Sequence, residues 1–318
     1  MRVLITGAAG FVGRHVVEYF LQHTDDEIVV LDSLTYAGNL NRIANLPSYD
    51  PKRVKFVYHN LRSPINDLVK GYLGDIDHIY HLAANSSVEF TLLNPEITVM
   101  DNVMATVNIL EYARHNNVEA INYFSTDEVY GPVKNPGEGF DEEAPHRPSN
   151  PYSAGKAAGE DYAHAWYVTY GLPVYTTNCM NIFGFDQHPE KYIPTVIRCV
   201  KNGTELPVYS SKNGKVAGSR YWIFGYDVAS ALLFLRDKAV PGQKYHIVGE
   251  WCDNLDLAYT IADKMGKPLY YKMYDFHSSR PGHDLHYGLK DTKLGKMGWK
   301  REYGIDKGLE MILSKESY

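Results

Sequence analysis

Thr126, Asp127 and Glu128 follow directly on Ser125 and on an apolar run, Ile121 to Phe124, that reads as a buried strand. A hydroxyl and two adjacent carboxylates thus stand where a strand ends. In open α/β sheets that is where ligands bind. Two neighbouring acids resist ionising together, so their pKa values separate and leave one base and one neutral acid near pH 7. Taken alone, such a pair is more often a solvated turn. A second group weighs against that reading. Pro151-Tyr152-Ser153-Ala154-Gly155-Lys156 opens a helical pattern running to about Tyr170. Tyr152 and Lys156, four apart, share a helix face. A buried ammonium beside a phenol favours the phenolate, so the spacing predicts Tyr152 as a base with a lowered pKa.

The third group lies at the N-terminus. Arg2 to Thr6 is a short apolar strand, and Gly7-Ala8-Ala9-Gly10-Phe11-Val12-Gly13 leads into an amphipathic run, Arg14 to Gln22. Strand, glycine loop and helix open a dinucleotide-binding βαβ unit. Gly7 would allow the tight turn, Gly10 the approach of a pyrophosphate and Gly13 close packing of helix on strand. The helix N-terminus would meet the phosphates with its N–H groups and partial positive charge. A second strand, Glu27 to Leu31, ends at Asp32. An acid about 20 residues beyond the glycines suits a ribose 2′-hydroxyl, which favours NAD over NADP.

These residues need elements to hold them. Further strands are predicted at Val54–Tyr58, at His78–Leu82 running into the small loop Ala83-Ala84, at Leu172–Tyr175 and at Lys244–Val248. Helices are predicted at Asp67–Tyr72, Glu96–Asn116, Pro189–Asn202 and Asn254–Met265. Strands alternating with helices predict an α/β fold: a Rossmann-type, doubly wound parallel sheet with right-handed crossovers. After residue 177 the rhythm loosens. The expected division is an NAD-binding domain over residues 1–177, to which 222–250 returns. A smaller, interrupted C-terminal substrate domain takes 178–221 and 251–318.

Composition narrows the classes of function. Of 318 residues, 44% are hydrophobic and 22% charged, and the net charge is −6 without a basic run, which points away from nucleic acid. No apolar run approaches the ~20 residues a membrane helix needs. Cys179, Cys199 and Cys252 have neither metal-ligand nor disulfide spacing, so no metal is expected and a reducing compartment is the simpler assignment. The chain enters a strand at once, with no charged leader ahead of it, and the expected localisation is cytoplasmic.

The glycine spacing G-x-x-G-x-x-G resembles that of the extended short-chain dehydrogenase/reductase superfamily. With Thr126-Asp127-Glu128-Val129-Tyr130-Gly131, the Tyr152/Lys156 pair, Thr177-Asn178-Cys179 with Asn181, Pro189-Glu190-Lys191, Leu206-Pro207-Val208-Tyr209 and Arg280-Pro281-Gly282-His283, essentially the whole chain resembles the nucleotide-sugar 4,6-dehydratases, those of dTDP-glucose in particular. The resemblance implies NAD as cofactor and a nucleotide-sugar substrate. Tyr152, helped by Lys156 and Thr126, would take the proton of the sugar 4-hydroxyl as hydride leaves C4. Glu128 would remove the acidified C5 proton while Asp127 protonates the departing 6-hydroxyl, and hydride would return to C6. Phe11, Val12, Asn60, Leu61, Leu82, Ala83 and Ala84 would line the cofactor. Ser86, Asn178, Asn181, Lys191, Arg220, Asn254, Arg280 and His283 would hold the nucleotide sugar, with Pro207 and Tyr209 flanking its base. A homodimer is implied, pairing Glu96–Asn116 and Pro151–Tyr170 across a two-fold axis.

The chain departs from the family where Asn60 replaces an acid, where Asn85-Ser86-Ser87 replaces Glu-Ser-His, and at Tyr221 and Ser210-Ser211. These changes leave the sugar, and thymidine versus uridine, open. The alternatives are a UDP-sugar 5,6-dehydratase or 4-epimerase of the same superfamily and, in another class, a silent NAD-sensing protein.

Overall fold

The computed structural model describes residues 1–211, 214–275 and 285–315. Its centre is a seven-stranded, all-parallel sheet: β1 (Arg2–Thr6), β2 (Glu27–Asp32), β3 (Val54–Tyr58), β4 (His78–His81), β5 (Ala120–Thr126), β6 (Val174–Cys179) and β10 (Lys244–Ile247), in the order β10-β6-β5-β4-β1-β2-β3. β1 pairs with β2 on one side and β4 on the other, so the strand order reverses there and the crevice above β1 is the switch point. Covered on both faces, the strands need no polar alternation. Val3 and Ile5 of β1 point into one core, with Phe20 of α1 (Phe11–His23) and Leu232 of α9 (Gly225–Arg236). Leu4, between them, points into the other, with Ile109 of α6 (Ala105–Arg114) and Ala163 of α7 (Pro151–Tyr170).

The remaining strands form two small sheets. β7 (Asn181–Phe183), β9 (Ser219–Phe224) and β11 (Glu250–Asp253) make one, and β8 (Leu206–Ser210) pairs in parallel with β12 (Tyr271–Asp275) in the other. The segment 222–250 is therefore split. β10 does join the main sheet, whereas Trp222–Phe224 pairs with β7 in a small one.

Two elements differ from their sequence reading in ways that matter for the site. β6 runs on to Cys179, so Asn178 pairs in register with Ser125 and His246 inside the sheet. The stretch read as one helix from Glu96 is α-helical over Pro95–Thr98, widens to a π turn over Val99–Met104, and resumes as α6. Insertions of this kind gather at functional sites. Here the widened turn carries buried Asn102, which accepts from the Asn85 N–H at 2.7 Å and donates to its carbonyl at 3.1 Å, pinning the loop after β4. Among the described residues no helix is long and apolar enough to cross a membrane.

Candidate active site

A cavity of about 600 Å³ opens over the carboxyl ends of β1, β2, β4 and β5. At one end lies the glycine loop. Gly7 has φ +69°, and a Cβ there would come within 2.7 Å of the Ala83 Cα. A Cβ on Gly13 would stand 2.4 Å from the Ala8 Cα and 2.6 Å from the Gly7 carbonyl oxygen, so only glycine lets α1 start this close to β1. Gly10 caps α1 without a side chain, which leaves backbone N–H groups and the positive end of the helix facing the cavity. The Asp32 carboxylate accepts from the Ala9 N–H at 3.0 Å and the Leu34 N–H at 2.8 Å. Burial raises its pKa, and those backbone donors oppose the rise. This donor set fits a dinucleotide: a glycine cradle and helix N-terminus for the pyrophosphate, and an oriented carboxylate for a ribose diol.

At the other end β5 delivers Thr126, Asp127 and Glu128. Thr126 caps the 3₁₀ turn Asp127–Tyr130. It accepts from the Glu128 N–H at 3.4 Å and donates to Asp127 Oδ1 at 3.0 Å. The turn throws Asp127 inward, to 4% exposure, and leaves Glu128 half-buried; both line the cavity. Burial, with the Glu128 charge adding to it, pushes the Asp127 carboxyl up to about 7. One acid of the pair is thus poised to hold a proton near neutral pH.

Asn150 caps α7 through a reciprocal box with Ser153, and Pro151 sits in the first turn, where its missing N–H costs nothing. The helix brings Tyr152 and Lys156 to the same cavity wall as Thr126. The expected lowering of the Tyr152 pKa is not what the structure gives. Burial, with the Glu128 charge behind it, raises the phenol well above its ordinary value, against an opposing hydrogen bond from Thr126. The Lys156 ammonium instead stands 4.3 Å over the Tyr123 ring, and burial draws it down to about 7. In the protein alone, therefore, Tyr152 is a protonated phenol.

The other predicted residues divide. Phe11, Val12, Asn60, Leu61, Leu82, Ala83, Ala84, Ser86, Asn181 and Lys191 line the cavity, Lys191 as the cap of α8 (Tyr192–Asn202). Asn178 does not. It is fully buried beneath the floor, donating to the Thr126 carbonyl at 3.1 Å and to Glu160 Oε1 at 2.6 Å. Its expected contact with a diphosphate is corrected to a contact holding β5, a consequence of the longer β6. Pro207, Tyr209, Arg220 and Asn254 also lie outside the lining. Pro207 and Tyr209 belong to the β8–β12 pair, and Arg220 donates to the Ser219 and Leu285 carbonyls. The Asn254 carbonyl accepts from Tyr192 Oη at 2.6 Å. The Arg220 charge nonetheless bears on Asp127, lowering its pKa. Arg280 and His283 lie outside the described residues.

Some of the lining escaped sequence reasoning. Arg42 donates to the Ala9 carbonyl at 3.4 Å, and Arg62 pairs with Asp101 at 2.6 Å. Behind Lys156, buried Glu160 accepts from Ser125 and Asn178 and meets His146 at 3.1 Å and Lys244 at 2.7 Å. Those charges hold its carboxyl down at about 2, against burial. An acid four residues beyond Lys156 was a visible signal; its partners come from β5, β6, β10 and a loop and were not.

The model of the family described as "NAD dependent epimerase/dehydratase family" matches residues 3–248. The chain is 34% identical over 337 aligned positions to a dTDP-glucose 4,6-dehydratase of Haemophilus influenzae, covering 98% of this chain and 97% of that one. Among solved structures it is similar to the dTDP-glucose 4,6-dehydratase of Streptomyces venezuelae crystallised with NAD and TYD, at 33% identity and TM-score 0.88 over 99% of this chain and 96% of that one. It is also similar to a Thermus thermophilus UDP-glucose 4-epimerase in complex with NAD, at 28% identity and TM-score 0.88 over the whole of both chains. A matching model across most of the sequence, together with full-length relatives above 30% identity, places this chain in the NAD-dependent epimerase/dehydratase family.

Proposed function

We propose that this chain is an NAD-dependent nucleotide-sugar 4,6-dehydratase, a hydro-lyase that converts a nucleoside-diphosphate glucose, dTDP-glucose first among candidates, to its 4-keto-6-deoxy sugar. One observation carries the choice of elimination over epimerisation. Epimerisation at C4 needs proton and hydride transfer at one carbon. Elimination across C5 and C6 needs a base and a neutral acid at adjacent carbons in one step. Asp127, raised to about 7 beside Glu128 on the cavity floor, is such a pair.

Bound NAD would supply a reversible hydride acceptor and a positive charge that, with Lys156 on the same wall, favours the Tyr152 phenolate, the phenol proton passing to solvent. The glycine loop, the α1 N-terminus and Asp32 would bind and orient it, and Asn60, Leu61, Leu82, Ala83 and Ala84 line the same cavity. Tyr152 Oη takes the proton of the 4-hydroxyl, with Thr126 holding that hydroxyl in line. Once C4 is a ketone, the C5 proton is acidic. Glu128 removes it, the electron pair forms the C5–C6 double bond, and the C6–O bond breaks as Asp127 gives its proton to the leaving oxygen. Lys191 and the N-terminus of α8 face the cavity where an anionic diphosphate would lie.

Two coarser features belong to the same reading. The proposed domain division assigns β9 to the smaller unit, and the proposed active form is a homodimer. Val99, Met100 and Met104 beside α6, with Tyr162, Val168 and Tyr170 on α7, are exposed apolar residues on the paired helices, as a helical interface requires.

Incubation of purified protein and NAD with dTDP-glucose, and separately with UDP-glucose, tests the function by product mass. Loss of one water with the thymidine substrate is expected. A product of unchanged mass from either substrate would favour epimerisation.

A further inference from the structure

Asn150 caps α7, and its side chain is shared between that cap and the turn after β5. Oδ1 accepts from the Ser153 N–H at 2.8 Å, and the Asn150 N–H is answered by Ser153 Oγ at 3.2 Å. Nδ2 donates to Glu128 Oε2 at 3.1 Å. The cap fixes the amide: its oxygen must face the helix N–H, so its NH₂ must face Glu128. Asn150 is 6% exposed, which gives this bond little competition from water. Glu128 sits on a short turn at the end of β5, and Tyr152 lies two residues beyond Asn150. One side chain therefore ties the carboxylate of the strand to the helix that carries the phenol.

We propose that Asn150 is a positioning residue for elimination, holding the Glu128 carboxylate aimed at C5 and at a fixed distance from Tyr152. The inference rests on the dehydratase reading. In the step it serves, the C5 proton passes to Glu128, the C5–H electron pair becomes the C5–C6 double bond, and the C6 oxygen leaves with the Asp127 proton as water. A donor to the carboxylate oxygen orients the base without touching the substrate. Serine at position 150 would still cap the helix but is too short to reach Glu128. Aspartate would cap it as well and would set a second carboxylate against the first.

The test compares Asn150→Ser and Asn150→Asp with the unaltered protein, each with NAD and dTDP-glucose. Two readouts are followed. One is reduced-nicotinamide absorbance in a single turnover, which reports oxidation at C4. The other is deuterium entry at C5 from heavy water, which reports Glu128. In both variants C4 oxidation should stay within about threefold while C5 exchange falls about ten- to a hundredfold, the loss expected for a hydrogen bond to a charged group. The reduced nicotinamide should then accumulate. Retention of full C5 exchange in either folded variant would overturn the proposal. Equal loss of both readouts would also overturn it, because Asn150 would then serve only the helix. Absence of any C5 exchange in the unaltered protein would overturn the dehydratase reading itself, and is seen before a variant is made.

Discussion

At the scale of single residues, two adjacent acids, Asp127 and Glu128, have different surroundings. Burial and a like-charged neighbour raise Asp127 to about 7, which suits it to the proposed role of proton donor, and activity should decline on the basic side as pH rises through that value. Asp127→Asn should lose at least about a hundredfold in dehydration while retaining oxidation at C4, measured as product formation against single-turnover nicotinamide reduction. The same substitution should raise thermal stability at pH 8. A carboxyl whose folded pKa is raised contributes stability fully below its unfolded value, near 3.8, and loses it as pH climbs toward 7. The amide carries no such dependence. An unchanged melting point at pH 8 would place Asp127 in a wetter site than the structure does. Tyr152→Phe should cost about a hundredfold or more in nicotinamide reduction, since it removes the only atom proposed to take the 4-hydroxyl proton. Glycine spacing, the acid pair and the Tyr-Lys pair were legible because their chemistry is local in sequence. The ionisation state of Tyr152 was not, because it depends on burial and on Glu128, which the spacing to Lys156 does not report.

Among the elements, each proposed catalytic side chain is held near the start of a helix or the end of a strand, and glycine contacts set how closely these approach. Gly13→Val would drive a side chain into Ala8 and the Gly7 carbonyl. It should weaken NAD binding at least about tenfold by calorimetric titration and destabilise the fold, since α1 must move off β1. The Glu160 hub carries a separate expectation. With its folded pKa near 2 against 4.5, its contribution is present above pH 4.5 and lost as pH falls toward 2. Glu160→Ala should cost on the order of 3 kcal/mol at neutral pH in a denaturant titration, because His146, Lys244 and Asn178 lose a shared buried partner. A cost under about 1 kcal/mol would contradict the hub. The alternation of strands and helices could be read from the sequence, since parallel strands covered on both faces are continuous apolar runs. The extent of β6 could not: Thr177 and Asn178 are polar, and they continue the strand with Thr177 bonded to Asn122 and the Asn178 amide N–H groups taken by Thr126 and Glu160. The links from Asn150 to Glu128 and from Ser125 to Glu160 span 22 and 35 residues, and nothing in a linear pattern announces such pairs.

For the molecule as a whole, the switch point of the sheet sets a dinucleotide cradle, an acid pair and a Tyr-Lys pair around one cavity. The same frame serves a 4-epimerase of known structure with a TM-score of 0.88. The frame alone therefore does not choose the reaction; in the proposed reading the residues at the end of β5 do. Outside the cavity, Val168→Glu on the exposed face of α7 should turn the proposed dimer into a monomer in sedimentation equilibrium, and a dimer kept by the variant would place the interface elsewhere. In the proposed reaction one hydride leaves C4 and returns to C6 of the same sugar around a loss of water. The most direct measurement is the fate of deuterium placed at C4 of dTDP-glucose, followed by NMR and mass spectrometry. The expected product is lighter by one water and carries the label at C6. A label found back at C4 of a sugar of unchanged mass would contradict this reaction and assign the chain to epimerisation.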